Sequence, residues 1–295
     1  MHKMKRSILI LIFTFCGSHA AWPRALDPIV TTQWLQQNLK DPGVTVLDIR
    51  TAAQYEKGHI PGSVSTPLSA WAVSSNGLSL ELPSDEAIRD ILGKAGVTPA
   101  SKIVIASRTE TDFGRADATR VAWTCKLAGI ESVAVLDGGF TKWARENKAL
   151  STEKPAIQEV AYSGKINRVS VASKAYVLGG LKRLIIADNR VPEDYFGITS
   201  KPGHIRGAVN LPTPWVFNAD GTFRAQDELR SMASGVLGDG KSKEIVVYCG
   251  VGGYSSTWWF LLTQVLGYRD VKIYDGSFEE WIRDPAAPAR TYTWH

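Results

Sequence analysis

The stretch Glu244-Ile-Val-Val-Tyr-Cys249-Gly-Val-Gly-Gly-Tyr-Ser-Ser256 runs from apolar residues into a glycine-rich turn, and Thr257-Trp-Trp-Phe-Leu-Leu-Thr-Gln-Val265 continues as an apolar helical segment. A short β-branched run closed by glycines and followed by a helix predicts a buried strand, a tight turn and a helix start. The turn places the thiol of Cys249 among N–H groups that the first turn of a helix leaves without partners. Such amides favour thiolate over thiol, and the thiolate is the nucleophile. The plainer alternative is a cysteine packed at an ordinary strand end beside a flexible turn.

The same segment occurs earlier with a different residue in the thiol position. Lys102-Ile-Val-Ile-Ala106 is followed by Ser107, not cysteine. Further pairs repeat in the same order. Val46-Leu-Asp-Ile-Arg50 with Tyr55-Glu-Lys-Gly-His-Ile-Pro-Gly62 answers to Ile185-Ile-Ala-Asp-Asn-Arg190 with Lys201-Pro-Gly-His-Ile-Arg-Gly207. Val133-Ala-Val-Leu-Asp-Gly-Gly-Phe140 answers to Val271-Lys-Ile-Tyr-Asp-Gly-Ser-Phe278. A period this long means a duplicated domain, not a stack of short repeats. Val/Ile-rich runs alternating with amphipathic stretches predict an α/β fold, each unit a parallel sheet covered by helices on both faces. The units are expected at 27–150 and 166–290, joined by a polar linker at 151–165 that contains Pro155. The Pro- and Ala-rich tail after Asp284 is read as irregular, draped over the second unit.

Residues 1–20 read as an export leader: Lys3, Lys5 and Arg6, then an apolar run, then Ser18-His-Ala20 as a small-residue cleavage site. The apolar run is too short for a mature membrane anchor. A lipoprotein reading through Cys16 is the rival. The expected location is periplasmic or secreted, without a membrane anchor after cleavage. The leader holds three basic and no acidic residues, so its removal lowers the formal net charge from +5 to +2. That near balance gives no reason to expect nucleic acid as a partner. Without the leader, Cys125, Cys249, His59, His204 and His295 are the only cysteines and histidines, too scattered to predict a metal site. No cofactor is expected. Val121, Ala122, Cys125 and Ala128 share one helical face, so Cys125 reads as a small buried side chain and Cys249 as a lone thiol.

Together these motifs resemble the rhodanese family of sulfurtransferases. Tyr55-x-x-x-His59-Ile-Pro-Gly62 is similar to its amino-terminal signature, and Val271-x-x-Tyr274-Asp-Gly-Ser-Phe278-x-Glu280-Trp281 to its carboxy-terminal one. The resemblance spans about residues 27 to 285. It implies tandem domains, the first inactive and the second carrying the cysteine, as Ser107 and Cys249 suggest. It implies a two-step shuttle in which Cys249 takes sulfur from a small anionic donor (thiosulfate or 3-mercaptopyruvate) as a persulfide and passes it to cyanide or a thiol. A monomer is expected. A non-catalytic sulfur-carrying or partner-binding module is the alternative. A phosphatase reading fails because no arginine lies between Cys249 and Thr257 to clamp phosphate oxygens.

Persulfide stabilisation is assigned to the loop amides of Gly250, Val251, Gly252, Gly253, Tyr254 and Ser255. The glycines are expected to supply positive φ, and Ser255 or Ser256 to cap the helix. Asp188, Arg190 and Arg206 are candidates for holding the substrate or orienting the loop, with a purely structural Asp188–Arg190 pair an equal alternative. Two departures from the family pattern bear on the donor. Tyr254 stands where many single-domain members place arginine, and Asp194 where an arginine is usual. Both should weaken an anionic donor, with Arg190, Lys201 or Arg206 as compensating charges. His59 and His204, at equivalent turns, read as turn-stabilising, and Trp71, Trp215, Trp258 and Trp259 as core or domain interface.

Overall fold

The structure is a computed structural model describing residues 26–199 and 202–293. The expected leader, Lys201 and His295 lie outside the described residues.

The first unit contains β1 (Ile29–Val30), β2 (Val44–Asp48), β3 (Val64–Ser65), β4 (Val73–Ser75), β5 (Leu78–Glu81), β6 (Lys102–Ala106) and β7 (Ser132–Leu136). Five of these form a parallel sheet in the order β1-β7-β6-β2-β3, while β4 and β5 make a separate antiparallel hairpin. The second unit contains β8 (Val171–Ala172), β9 (Ile185–Asp188), β10 (His204–Ile205), β11 (Val209–Asn210), β12 (Glu244–Tyr248), β13 (Asp270–Tyr274) and β14 (Ala289–Arg290). Its sheet, β8-β13-β12-β9-β11, is also parallel and repeats the connectivity of the first. The central strands β6 and β12 are buried nearly throughout, which is why they read as unbroken apolar runs.

Two helices form the seam between the units: Asp112–Leu127, after β6, and Gly253–Phe260, after β12. Their apolar faces join both sheets into one buried cluster, with Trp123 and Trp259 6.3 Å apart. The Thr119 hydroxyl meets those of Ser256 and Thr257 at 3.1 and 2.9 Å, satisfying three buried polar groups at once. Between helix Gly139–Arg145 and β8 the chain has no helix or ladder strand. It is tied back by Val160 N–H to Gly93 O and by the Tyr162 hydroxyl to Ala128 O. The carboxy-terminal tail returns to the second unit, where β14 pairs with β10.

Each unit extends an arm onto the other. Leu82 N–H, just past the β4–β5 hairpin, donates to Asp275 in the second unit at 2.9 Å. Phe223 N–H of the second unit donates to Asp137, the counterpart of Asp275, also at 2.9 Å. Of the four tryptophans assigned to core or interface, Trp71, Trp258 and Trp259 are buried, but Trp215 is 55% exposed. It lies in a short 3-10 turn, Thr213–Val216, whose buried face is supplied by Thr213 and Val216 instead.

Candidate active site

Cys249 follows β12 directly and is 1% exposed. Its Sγ accepts a hydrogen bond from Gly252 N–H at 3.1 Å. Gly252 is the helix N-cap and adopts φ +84°, a left-handed conformation that glycine takes at little cost. That conformation turns its N–H back toward the sulfur. The N–H groups of Gly250 and Val251 have no partner among the described residues, so the loop retains donors for a sulfur anion.

Two details differ from the sequence expectation. Among the loop glycines only Gly252 has positive φ. Neither Ser255 nor Ser256 caps the helix: their hydroxyls donate backward to Gly252 O and Gly253 O at 3.0 and 2.7 Å. The helix starts at Gly253, so both serines already lie in its first turn, where a hydroxyl reaches a carbonyl one turn back.

The turn after β13 anchors the loop from the other side. Cys249 N–H donates to Ser277 Oγ at 3.2 Å, and that hydroxyl donates to Tyr274 O at 2.9 Å. Phe278 N–H and Glu279 N–H donate to Cys249 O and Gly250 O. Ser277 holds φ +51°, unusual for a residue with a Cβ. Its counterpart in the first unit is Gly139, at φ +58°. A Cβ on Gly139 would sit 2.3 Å from Ser107 O, so a serine is excluded there. The cysteine-bearing copy thus keeps a strained serine whose hydroxyl receives the cysteine amide. Comparing Gly138-Gly139 with Gly276-Ser277 in the sequence would have flagged it.

Among the described residues, neither Asp188 nor Arg190 makes a hydrogen bond to residues 249–255 of the sulfur loop. They form a buried, forked ion pair; Arg190 also donates to Gly203 O, and its guanidinium lies 4.1 Å from the Phe278 ring centroid. Tyr248, one residue before the cysteine, donates to Asp188 Oδ2 at 2.7 Å and accepts from Ile205 N–H at 3.1 Å. Burial, and then the negative charge of Asp188, push this phenol far above the ordinary tyrosine range, so it stays a donor. The first unit repeats the pair as Asp48–Arg50, with Gly58 O and Phe140 in the same places. Arg206 is exposed, and among the described residues its side chain has no bond to the loop. His59 and His204 stack on Tyr55 and Tyr195 at 3.8 Å, and each places Nδ1 2.9 Å from the same tyrosine's carbonyl. Burial, opposed by that carbonyl bond, lowers the pKa of His204 and favours its neutral form.

Several contributors come from the first unit and were not singled out in the sequence. Phe113, 51% exposed, stacks on Tyr254 at 4.6 Å. Leu80 and Phe113 lie against Gly253. Arg120 forms a buried ion pair with Asp275, beside Gly252. Tyr254, whose carbonyl accepts from Thr213 Oγ1, is pushed up to about 12 by burial and then by the charges of Asp112, Cys249 and Asp194. Asp194 therefore acts on the loop mouth electrostatically, while its carboxylate accepts from the Thr199 hydroxyl. Cys125 and Cys249 are both free thiols, and among the described residues no cluster of acids, histidines and cysteines is placed to hold a metal.

A strand, a cysteine loop and a helix in one parallel unit, beside a copy lacking the thiol, find their match in one known domain. A profile of the rhodanese-like domain matches residues 31–146 and 173–284. The chain belongs to the rhodanese family. Among relatives, it is 32% identical over 277 residues to the sulfur carrier protein TtuD of Thermus thermophilus, covering 86% of this chain and 93% of that one. It is 28% identical over 285 residues to thiosulfate sulfurtransferase of Bos taurus, covering 90% and 94%. The crystal structure of YnjE superposes with TM-score 0.79 at 22% identity, over 90% of this chain and 69% of that one. Wild-type EanB gives 0.76 at 22% identity, over 91% and 70%. At that identity the structural likeness establishes the rhodanese fold alone.

Proposed function

We propose that the protein is a sulfurtransferase in which Cys249 carries sulfane sulfur as a persulfide. The observation that carries this reading is the Gly252 N–H aimed at a buried Sγ from 3.1 Å, in the one copy of the unit that has a cysteine directly after its central strand. With thiosulfate as donor, the Cys249 thiolate attacks the outer sulfur. The S–S bond of the donor breaks, and sulfite leaves with the bonding pair. The persulfide's terminal sulfur carries the negative charge, which the Gly250 and Val251 amides are available to receive. A thiolate or cyanide then attacks that outer sulfur, and the electron pair of the enzyme's S–S bond returns to Cys249. Splitting the transfer this way gives two displacements at sulfur with no net oxidation of the enzyme.

Treatment with thiosulfate or 3-mercaptopyruvate should add about 32 Da, one sulfur atom, to the protein, and Cys249→Ser should abolish the adduct. A Cys249→Ser protein that still turns over at the wild-type rate would end the proposal. The second reading, a sulfur carrier without turnover of its own, draws on the uncharged loop, the acid at Asp194, and the name borne by the Thermus thermophilus relative. A persulfide that forms readily but is not released to cyanide or a dithiol would favour it. Residues 1–20 are proposed as the export leader; amino-terminal sequencing of exported protein should begin at Ala21.

A further inference from the structure

We propose that Arg120, in the first domain, which carries Ser107 in place of the nucleophile, is a positioning residue for sulfur transfer: through Asp275 it seats Gly252 so that its N–H stays aimed at Cys249. The inference rests on the reading of Cys249 as the sulfur-carrying nucleophile.

Three contacts in series connect Arg120 to the sulfur. Both terminal nitrogens of its guanidinium donate to the Asp275 carboxylate, Nη2 to Oδ2 at 3.1 Å, and Nη2 also donates to Leu80 O. Gly252 packs directly on this pair. A Cβ added there would lie 2.9 Å from Asp275 Oδ1, 3.0 Å from Asp275 O and 3.3 Å from Arg120 Nη1. Gly252 N–H in turn reaches Cys249 Sγ. A planar fork bound to a carboxylate fixes both distance and orientation, which one flexible ammonium does not.

The hydrogen bonds that hold the Asp275 carboxylate come from the other domain: Arg120 and Leu82 N–H. The pseudosymmetric site shows that the arginine is not required by the arm exchange itself. There Asp137 receives Phe223 N–H in the same way, but no arginine pairs with it among the described residues. Arginine is present only on the side where a glycine amide must face a sulfur. The first domain thereby supplies the back wall of its neighbour's active loop.

The test uses the full-length protein with Arg120→Gln and Arg120→Lys. The readouts are the pH profile of Cys249 alkylation by iodoacetamide, mapped by peptide mass spectrometry, and the rate of persulfide formation. Circular dichroism checks folding. Arg120→Gln should move the alkylation midpoint upward and slow persulfide formation at neutral pH by about tenfold or more, with Arg120→Lys between it and wild type. If Arg120→Gln does not fold, Gly252→Ala decides the matter, because its Cβ pushes the loop off an intact Arg120–Asp275 pair and should give the same shift. A folded Arg120→Gln, or in its place Gly252→Ala, with the wild-type profile and rate overturns the proposal. Alkylation needs no sulfur donor. A wild type that forms no persulfide therefore counts against the functional reading, while the profile still decides the role of Arg120.

Discussion

The ring of Phe113, from the first domain, stacks on Tyr254 of the Cys249 loop with centroids 4.6 Å apart and planes inclined by 16°. The position where related loops carry a cation is thus occupied by half of an interdomain aromatic pair, worth about 0.5–1.5 kcal/mol beyond its buried area. The electrostatic neighbours of Tyr254 include Asp112 and Asp194, opposed by Arg115. Arg115 is itself paired with Asp112 at 3.1 Å, so Asp194 is the acid at the mouth without an ion-pair partner among the described residues. A dianionic donor should be poorly served there.

Tyr254→Arg tests this. Alone, the new guanidinium is expected to pair with Asp194 and raise kcat/KM for thiosulfate only about two- to threefold. Combined with Asp194→Asn, the gain should reach about tenfold, because the cation is then freed for the donor. Steady-state kinetics at low salt check both. Equal values for wild type and double variant would show that loop charge does not limit donor use.

The duplicated Asp–Arg pairs separate structure from catalysis. Asp188–Arg190 lies near the cysteine strand and Asp48–Arg50 near Ser107, yet their bonds are alike. Arg190→Ala and Arg50→Ala should therefore each cost about 3–5 kcal/mol, since each strands a buried carboxylate. Urea unfolding followed by fluorescence measures this. An Arg190→Ala protein of wild-type stability that has lost sulfur transfer would return Arg190 to the catalytic machinery.

These pairs also mark where the sequence was readable. Strands buried on both faces and a repeated motif order leave linear traces, so the two sheets and Cys249 could be read directly. Arg120, Leu80 and Phe113 act on the loop from the other domain, and Arg120 meets Asp275 across 155 positions. No periodicity records such a contact. Ser255 and Ser256 misled because hydroxyls near a helix start usually cap it; here Gly252, with φ +84°, takes that place. Trp215 misled because residue type alone does not say which side chains of a short 3-10 turn face inward.

Cys125 should be chemically silent in the native protein. It is wholly buried, and that burial pushes its thiol up to about 12. With iodoacetamide at pH 8, peptide mapping should find label on Cys249 and none on Cys125, until denaturant exposes both. Label on Cys125 at a comparable rate in native protein would mean that the helix Asp112–Leu127 opens readily, and with it the seam between the domains.

Glu81 should make the interdomain arm sensitive to pH. Its Oε1 is buried without a hydrogen-bond partner among the described residues, at the end of the β4–β5 hairpin. Burial, and then the charges of Asp275, Glu280 and Glu279 against the opposing Arg120, raise it from 4.5 to about 7. The folded protein therefore binds this proton more tightly than the unfolded chain. The stabilisation is fully present below pH 4.5 and is lost as pH rises through about 7. Because the side chain is only half-buried, solvent screening reduces the effect to about 1–2 kcal/mol. Glu81→Gln removes the titration. It should melt within a degree or so of wild type near pH 4.5, yet about 2–6 °C higher at pH 8. Differential scanning calorimetry of both proteins from pH 4.5 to 8 cancels the other titrating groups. A melting difference that stays flat across that range would show that Glu81 ionises as an ordinary surface carboxylate and that the arm is indifferent to it.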